Sequence, residues 1–267
     1  MKNFILQTQP VEGGIIRLYE KDYHYLVRVR RLRSGMSFNA ILPGGPKTTV
    51  RILSTKDNIL IGQCIEEEET QPGKLPPGSL LPEIALFQGL PRGAKMDLIV
   101  RQAAEAGVSV IAPFNGEYSQ GVPAKDSGEK IKRWERIIKE ARQQSGSITE
   151  TIVMPPCSFD ALLEYWGSLR EKYNHPLGLV LHQEPLEKGT LHGYLRNDPD
   201  FVVLAVGPEG GFSPGELTQF IETDFRPLLM GNTILRTETA ALYGIAAIRT
   251  ILLESEAWKL GLTESHS

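Results

Sequence analysis

Apolar residues in this chain of 267 amino acids recur with two different patterns, and the change falls near residue 70. Before it come short β-like runs, "GGIIRLY", "MSFNAIL", "TTVRILS" and "NILIGQCI", separated by turn residues such as "LPGGP" and "KDN". Runs of this kind between turn signals predict strands. The intervening "EKDYHYLVRVRRLRSGM" reads as a short helix followed by a basic loop. A small β-barrel of roughly 65 residues fits these strand and turn lengths.

Beyond "EEEETQPGKLPPGS" the pattern becomes strand and helix in alternation. Four consecutive glutamates repel one another, and the prolines and glycines after them oppose regular structure, so a linker is placed at 71–79. "EIALFQGL", "VSVIAPF", "TETIVMPP", "PLGLVLHQ", "FVVLAVGP" and "FRPLLMG" read as strands. Helices are expected over "AKMDLIVRQAAEAG", stopped by Gly107, and over "SGEKIKRWERIIKEARQQSG", capped by Ser127 and stopped near Gly146. Further helices are expected over "SFDALLEYWGSLREKY" and "TETAALYGIAAIRTILLE", the latter capped by Thr237. Such alternation argues for a parallel sheet covered on both faces, with ligands bound outside the carboxyl ends of the strands. The segment 255–267 reads as a frayed tail.

Composition narrows the class. The chain is 41% hydrophobic and 23% charged, as in an ordinary soluble globular protein. No apolar run reaches the eighteen or so residues of a membrane span, and the first residues lack a signal-peptide pattern, so a cytoplasmic protein is expected. Cys64 and Cys157 form no C-x-x-C, and the five histidines show no metal-ligand spacing, so no metal is expected. The net charge of −3 is uneven. Met1 to Ile65 holds ten basic and four acidic residues, net +6, whereas the remaining 19 basic and 28 acidic residues give −9. A basic front on an acidic body fits a polyanion-binding module, with Arg28, Arg30, Arg31 and Arg33 as candidate phosphate contacts; a solvated basic face is the alternative.

Chemistry concentrates in three segments that end apolar strands: "LVLHQEP", "LAVGPEGGF" and "LLMGNTILRTETA". By the carboxyl-end rule they converge on one pocket. Gly211 to Gly215 spell G-x-S-x-G, the nucleophile elbow of serine hydrolases. That chemistry needs the backbone N–H after the serine, and Pro214 has none. Ser213 instead reads as a helix N-cap, with Pro214 at the first helical position and Glu216 closing a capping box. None of the three segments matches G-x-G-x-x-G or a P-loop, which disfavours dinucleotides and nucleoside triphosphates.

"LAVGPEGGFSPGEL", followed by "LLMGNTILRTETAALYGI", resembles the RsmE-type ribosomal RNA uridine methyltransferases of the SPOUT (trefoil-knot) class. "LFQGLPRGAKMDLIVRQAAEAGVSVIAPF", "RWERIIKEARQQSG" and "HYLVRVRRLRSGM" agree in the same order. The chain departs from the commoner pattern at "LHQ", where "LHE" is frequent, and at "EYS", where an arginine often precedes the serine. The resemblance implies a PUA-like RNA-binding β-barrel over 1–70 and a SPOUT methyltransferase domain over 80–254 with a C-terminal trefoil knot. It also implies a homodimer that binds S-adenosylmethionine and methylates N3 of a uridine in 16S ribosomal RNA of the small subunit. The implied cofactor residues are Leu181, His182, Gly207, Pro208, Glu209, Gly211, Met230, Gly231, Asn232, Leu235, Arg236, Thr239 and Ala240.

Within that set, Arg236 is the candidate catalytic group, its guanidinium pairing with a uracil carbonyl or a phosphate; tying "ILRTETA" to a neighbouring loop is its structural alternative. Glu238 is either a base or an ordinary complement to the helix dipole, and Glu209 reads as a partner for turn amides. His182 is a candidate wall residue, and the base is left unassigned. Two other functions stay open: a SPOUT enzyme acting on a ribose hydroxyl of RNA, and a non-catalytic RNA-binding protein.

Overall fold

The structure is a computed structural model that describes residues 3–43, 47–65, 81–119, 127–184 and 189–264. Two compact units emerge, one of Met1–Lys74 with Lys139–Glu150, the other of Leu75–Ile138 with Thr151–Ser267. The linker read at 71–79 and the side chain of Ser127 lie outside what is described.

The first unit holds strands β1 (Phe4–Ile5), β2 (Ile15–Leu18), β3 (Ser37–Ile41), β4 (Lys47–Ser54) and β5 (Leu60–Ile65), in the order β1-β3-β4-β5-β2. β1 runs parallel to β3 and the other pairs are antiparallel. Alternation along β4 buries Thr48, Val50 and Ile52, which places them with Phe38, Leu18 and Leu60 on the core face. β4 and β5 are joined through Asp57 (φ +55) and Asn58 (φ +58), with the Ile59 amide donating to the Lys56 carbonyl. Two consecutive positive φ values define a type I′ hairpin turn, which Asp and Asn tolerate. The expected small β-barrel appears among the described residues as this five-stranded sheet. The expected short helix is α1 (Glu20–Tyr23), continued by a π-helical turn over His24–Val29. Tyr23 and Leu26 are buried in the sheet's core cluster.

The second unit is built on β6 (Glu83–Gly89), β7 (Val110–Asn115), β8 (Ile152–Val153), β9 (Cys157–Ser158), β10 (Pro176–Leu181), β11 (Phe201–Val206) and β12 (Phe225–Leu228). All pairs are parallel, in the order β12-β10-β11-β6-β7-β8, with β9 also on β7. Each residue of β11 is buried, as befits a strand covered on both faces. On one face Phe87, Phe114, Phe201, Val203 and Phe225 pack against Phe159, Leu162 and Trp166 of α4 (Phe159–Lys172) and Phe220 of α6 (Pro214–Glu222). The other face carries α2 (Lys95–Glu105) and α7 (Thr237–Glu264), which contact each other. Gly244 lets α7 lie close on β11, because a Cβ there would stand 2.7 Å from Leu204 Cδ2. The remaining helices are α5 (Leu191–Leu195), in this unit, and α3 (Ser127–Ser145), which belongs to it through Ile138 and to the first unit from Lys139.

Local signals are realised as read at several points. Gly107 (φ +77) and Gly146 (φ +73) end α2 and α3 in the left-handed region. Ser213 and Glu216 form the reciprocal capping box at α6, with Pro214 at the first helical position. Two readings are corrected. Thr237 opens α7, but its hydroxyl donates to the Gly207 carbonyl at 2.7 Å, so its partner lies outside the helix. The segment expected to fray from residue 255 is helical through Glu264, with neither proline nor glycine interrupting residues 255–260.

Candidate active site

The sheet's chain order reverses between β6 and β11, the position where parallel sheets open a crevice at their carboxyl ends. A cavity of about 370 Å³ lies there, within the size range of small-molecule sites. Three segments form it: Leu181–Gln183 after β10, Val206–Phe212 after β11, and Leu228–Leu235 leading through Arg236 into α7.

The loop after β11 is shaped by close backbone approach. Gly211 sits at φ +73 with its amide donating to the Pro208 carbonyl at 3.0 Å. A Cβ on Gly207 would come within 2.9 Å of the Gly211 carbonyl carbon, and one on Gly89 within 2.5 Å of Pro208 Cδ. The next residue, Phe212, stacks on Phe114, and the buried Glu216 both caps α6 and accepts the Glu117 amide at 2.8 Å. A tight turn is thus clamped onto the ends of β6, β7 and β11. Gly231, at φ +113, bends the third segment, and open space surrounds the positions that a Cβ would take at Gly211 and Gly231.

Polar groups in and around the cavity pin these segments. The fully buried Gln88, at the end of β6, donates through Nε2 to Thr237 Oγ1 at 2.9 Å and to the Gly89 carbonyl, while Thr237 donates to Gly207. The Glu209 carboxylate accepts the Arg92 amide at 3.1 and 3.2 Å and the Lys95 ammonium at 2.7 Å. Burial raises its proton affinity, but the Lys95 hydrogen bond and the backbone amides outweigh it and hold the carboxyl below its ordinary value. Lys95 also stands 4.0 Å from Glu238 Oε2, a buried oxygen with no hydrogen-bond partner among the described residues.

Of the thirteen residues implied as cofactor contacts, eleven line this cavity: Leu181, His182, Gly207, Pro208, Glu209, Gly211, Met230, Gly231, Leu235, Arg236 and Ala240. Asn232 and Thr239 do not; both are exposed, and Thr239 lies one turn into α7. His182 Nδ1 is 3.2 Å from both the backbone nitrogen and carbonyl oxygen of Glu184, consistent with a role in shaping the wall. Arg236 is exposed on the cavity lining; its backbone carbonyl accepts the Ala240 amide at 2.7 Å, while its guanidinium makes no hydrogen bond or ion pair with the described residues. The structural alternative for this arginine therefore has no partner there. Lys95, Gln183, Phe212, Thr233 and Ile234 also line the cavity and are absent from the sequence-derived set. Lys95 joins Glu209 across 114 residues, a separation that no local pattern encodes.

Arg28, Arg31 and Arg33 are exposed in the first unit, while Arg30 is half-buried. Arg31 takes φ +57, where the chain leaves the π-helical turn. Among the described residues no group of three His, Cys, Asp or Glu side chains could hold a metal, and no helix is long and apolar enough to cross a membrane. Cys64 and Cys157 are free thiols, each pushed up in pKa chiefly by burial.

The family described as "RNA methyltransferase domain" matches residues 79–249. The chain is 31% identical to Ribosomal RNA small subunit methyltransferase E of Synechocystis sp. over 93% of its own length and 77% of that protein's. It is 29% identical to Ribosomal RNA small subunit methyltransferase E 2 of Borreliella burgdorferi, covering 94% of this chain and 98% of the relative. Among solved structures, the Neisseria gonorrhoeae ribosomal RNA small subunit methyltransferase E bound to S-adenosyl methionine superposes with a TM-score of 0.77 at 26% identity. That match covers 94% of this chain and 98% of the other.

Proposed function

This chain belongs to the RNA methyltransferase domain family, with the ribosomal RNA small subunit methyltransferases E as its relatives, and on that premise we propose that it transfers a methyl group from S-adenosylmethionine to N3 of a uridine in small-subunit ribosomal RNA. The observation that carries this reading is the three-loop cavity at the carboxyl ends of β10, β11 and β12, lined by an arginine whose guanidinium pairs with no other described residue.

The cavity fits the cofactor in size and character. Leu181, Val206, Leu228, Leu235 and Ala240 supply apolar wall for a flat heterocycle. Gly211 and Gly231 leave open the space that side chains would fill, so backbone groups can approach a ligand closely. These residues, with Gly207, Pro208 and Met230, would hold the cofactor. When bound, S-adenosylmethionine supplies an electrophilic methyl carried on a sulfonium. The protein's part is to align the acceptor with that methyl and to exclude water. Uridine N3 carries a weakly acidic proton, so charge develops on the uracil ring as it is lost. Arg236 pairs with a uracil carbonyl and stabilises that charge. Glu209, held ionised by Lys95 and the Arg92 amide, orders the loop instead of moving protons.

The finer architecture belongs to the same proposal. Support for a trefoil knot is the path from β12, beyond β10, back to α7, whose first residue is joined to Gly207 and Gln88. The first unit, whose Met1–Ile65 segment carries a charge of +6, is read as a PUA-like RNA-binding barrel over 1–70, ahead of a catalytic domain over 80–254. The exposed Tyr243 and Leu253, ten residues apart on α7, support a homodimer, and a cytoplasmic enzyme is the setting that small-subunit RNA implies. The decisive test is mass spectrometry of nucleosides from small-subunit RNA incubated with protein and labelled cofactor. N3-methyluridine is expected; a ribose-methylated nucleoside, or no transfer, overturns the assignment.

A further inference from the structure

We propose that the first unit carries a pocket for one unpaired ribonucleotide whose base bears an exocyclic amino group, in addition to the cavity at the sheet ends. The inference deepens the proposed RNA methylation and rests on RNA being the substrate. A cleft of about 650 Å³ lies between the start of α1, the π-helical turn and the β4–β5 hairpin turn. Its volume suits a nucleotide-sized ligand. The buried Tyr23 lines it, and Tyr19 leaves half of its surface open, so an aromatic side chain is available to stack on a base.

The polar lining selects the base. Glu20 and Asp57 line it, and their carboxylates when ionised only accept hydrogen bonds. They match the amino groups of guanine, adenine or cytosine and disfavour the two carbonyl oxygens of uracil. Arg28 also lines the cleft, and the exposed Arg31 and Arg33 follow closely in the chain, so the phosphates on either side of a seated base have cationic partners. This combination of an aromatic face, carboxylates inside and arginines nearby is the chemistry of an unpaired nucleotide held by its base and its backbone.

The backbone here is also unusual. The positive φ angles of Asp57 and Asn58 are accounted for by the hairpin turn, but Glu20 takes φ +42 at the first position of a helix without being glycine or asparagine. Such a conformation costs energy and persists where surrounding structure enforces it, commonly at functional sites. The adjacent π-helical turn is a second feature of that kind.

The test titrates full-length protein with GMP, AMP, CMP and UMP, following amide shifts by NMR, for the wild type and for Tyr19→Ala and Asp57→Asn. Asparagine suits the turn as well as aspartate does, so the second variant leaves the hairpin intact. The expected result is shifts at Tyr19, His24 and Asn58, with the three amino-bearing nucleotides binding more tightly than UMP. Tyr19→Ala should weaken them at least about fivefold, the low end for losing one base–aromatic stack. Asp57→Asn should narrow the preference over UMP. Cofactor affinity, measured by calorimetry, should be unchanged in both variants. Equal binding of all four nucleotides, shifts confined to other residues, or full methylation of small-subunit RNA at unchanged KM by Tyr19→Ala would overturn the pocket while leaving the methyltransferase reading intact. Selective nucleotide binding at the cleft by a protein that transfers no methyl group would uphold the pocket and sink the methyltransferase reading.

Discussion

The hydroxyl of Thr237 donates to the carbonyl of Gly207 at 2.7 Å and accepts from Gln88 Nε2 at 2.9 Å, so one buried oxygen joins the ends of β6 and β11 to the start of α7. Thr237→Val keeps the shape and removes both bonds. Stability should fall by about 1–3 kcal/mol, the cost of leaving buried polar groups with one partner fewer. Cofactor affinity should fall with it, because Gly207 and Thr237 both line the cavity. Urea unfolding with parallel calorimetry measures both, and Thr237→Ser should recover most of each loss.

Glycines in the clamped turn give a second prediction. Gly89→Ala places a methyl group 2.5 Å from Pro208 Cδ, so the loop must move. A Cβ at Gly211 meets no atom within 4 Å, but Gly211→Val forces a β-branched residue to φ +73, a strain of roughly 1–3 kcal/mol. Both should bind the cofactor more weakly than wild type by calorimetry. Unchanged affinity in Gly211→Val would remove that loop from the site.

Arg236→Lys retains charge but loses the planar fork that pairs with a carbonyl. Turnover should drop about tenfold or more, equivalent to roughly 1.4 kcal/mol or more of transition-state stabilisation, while cofactor dissociation changes less than about twofold. Single-turnover kinetics with saturating cofactor separates these quantities. A parallel fall in both would mark the arginine as structural.

Acid should loosen the Glu209 tether. Its folded pKa lies below the ordinary carboxyl value of 4.5, so its contribution is fully present above that value and disappears as pH falls through the lowered one. Melting temperatures between pH 7 and pH 3 should show a smaller acid-induced decline in Glu209→Gln than in wild type. Lys95→Met should reduce the decline in the same way, having removed the cation that favours the ionised form.

Salt reports on the basic front. If Arg31 and Arg33 neutralise phosphates, replacing both with Gln should flatten the plot of log affinity against log salt by roughly 0.7–0.9 for each phosphate no longer paired. Filter binding of small-subunit RNA at several salt concentrations gives the slope. S-adenosylmethionine affinity should stay constant.

Short-range physics made much of the architecture legible. The Ser213–Pro214–Glu216 cap follows from three residues within one turn, and the Phe201–Val206 strand follows from an unbroken apolar run. The converging segments could be read because all three interrupt apolar strands, two of them with glycines. Illegible parts are those set by distant partners. The Lys95–Glu209 pair and the bond between Thr237 and Gly207 depend on which loops the sheet order brings together, and neither has a local signature. The π-helical turn at His24–Val29 was hidden because its apolar spacing is that of any short helix. Asn232 and Thr239 lie within lining segments but outside the lining itself, a distinction of side-chain direction that sequence order alone does not carry.

The hydrogen bond from Gln88 to Thr237 spans 149 residues, which makes the ligand cavity a late product of folding. Closing a loop of that length is entropically demanding and characteristic of slow, non-local assembly. A chain emerging from the ribosome has made every strand of the parallel sheet before Thr237 appears, yet cannot complete the cavity until α7 begins to form. Ligand occupancy is thereby a checkpoint on completeness: prematurely terminated chains lack the element that seals the cavity and gain none of the stabilisation that a native-state ligand confers.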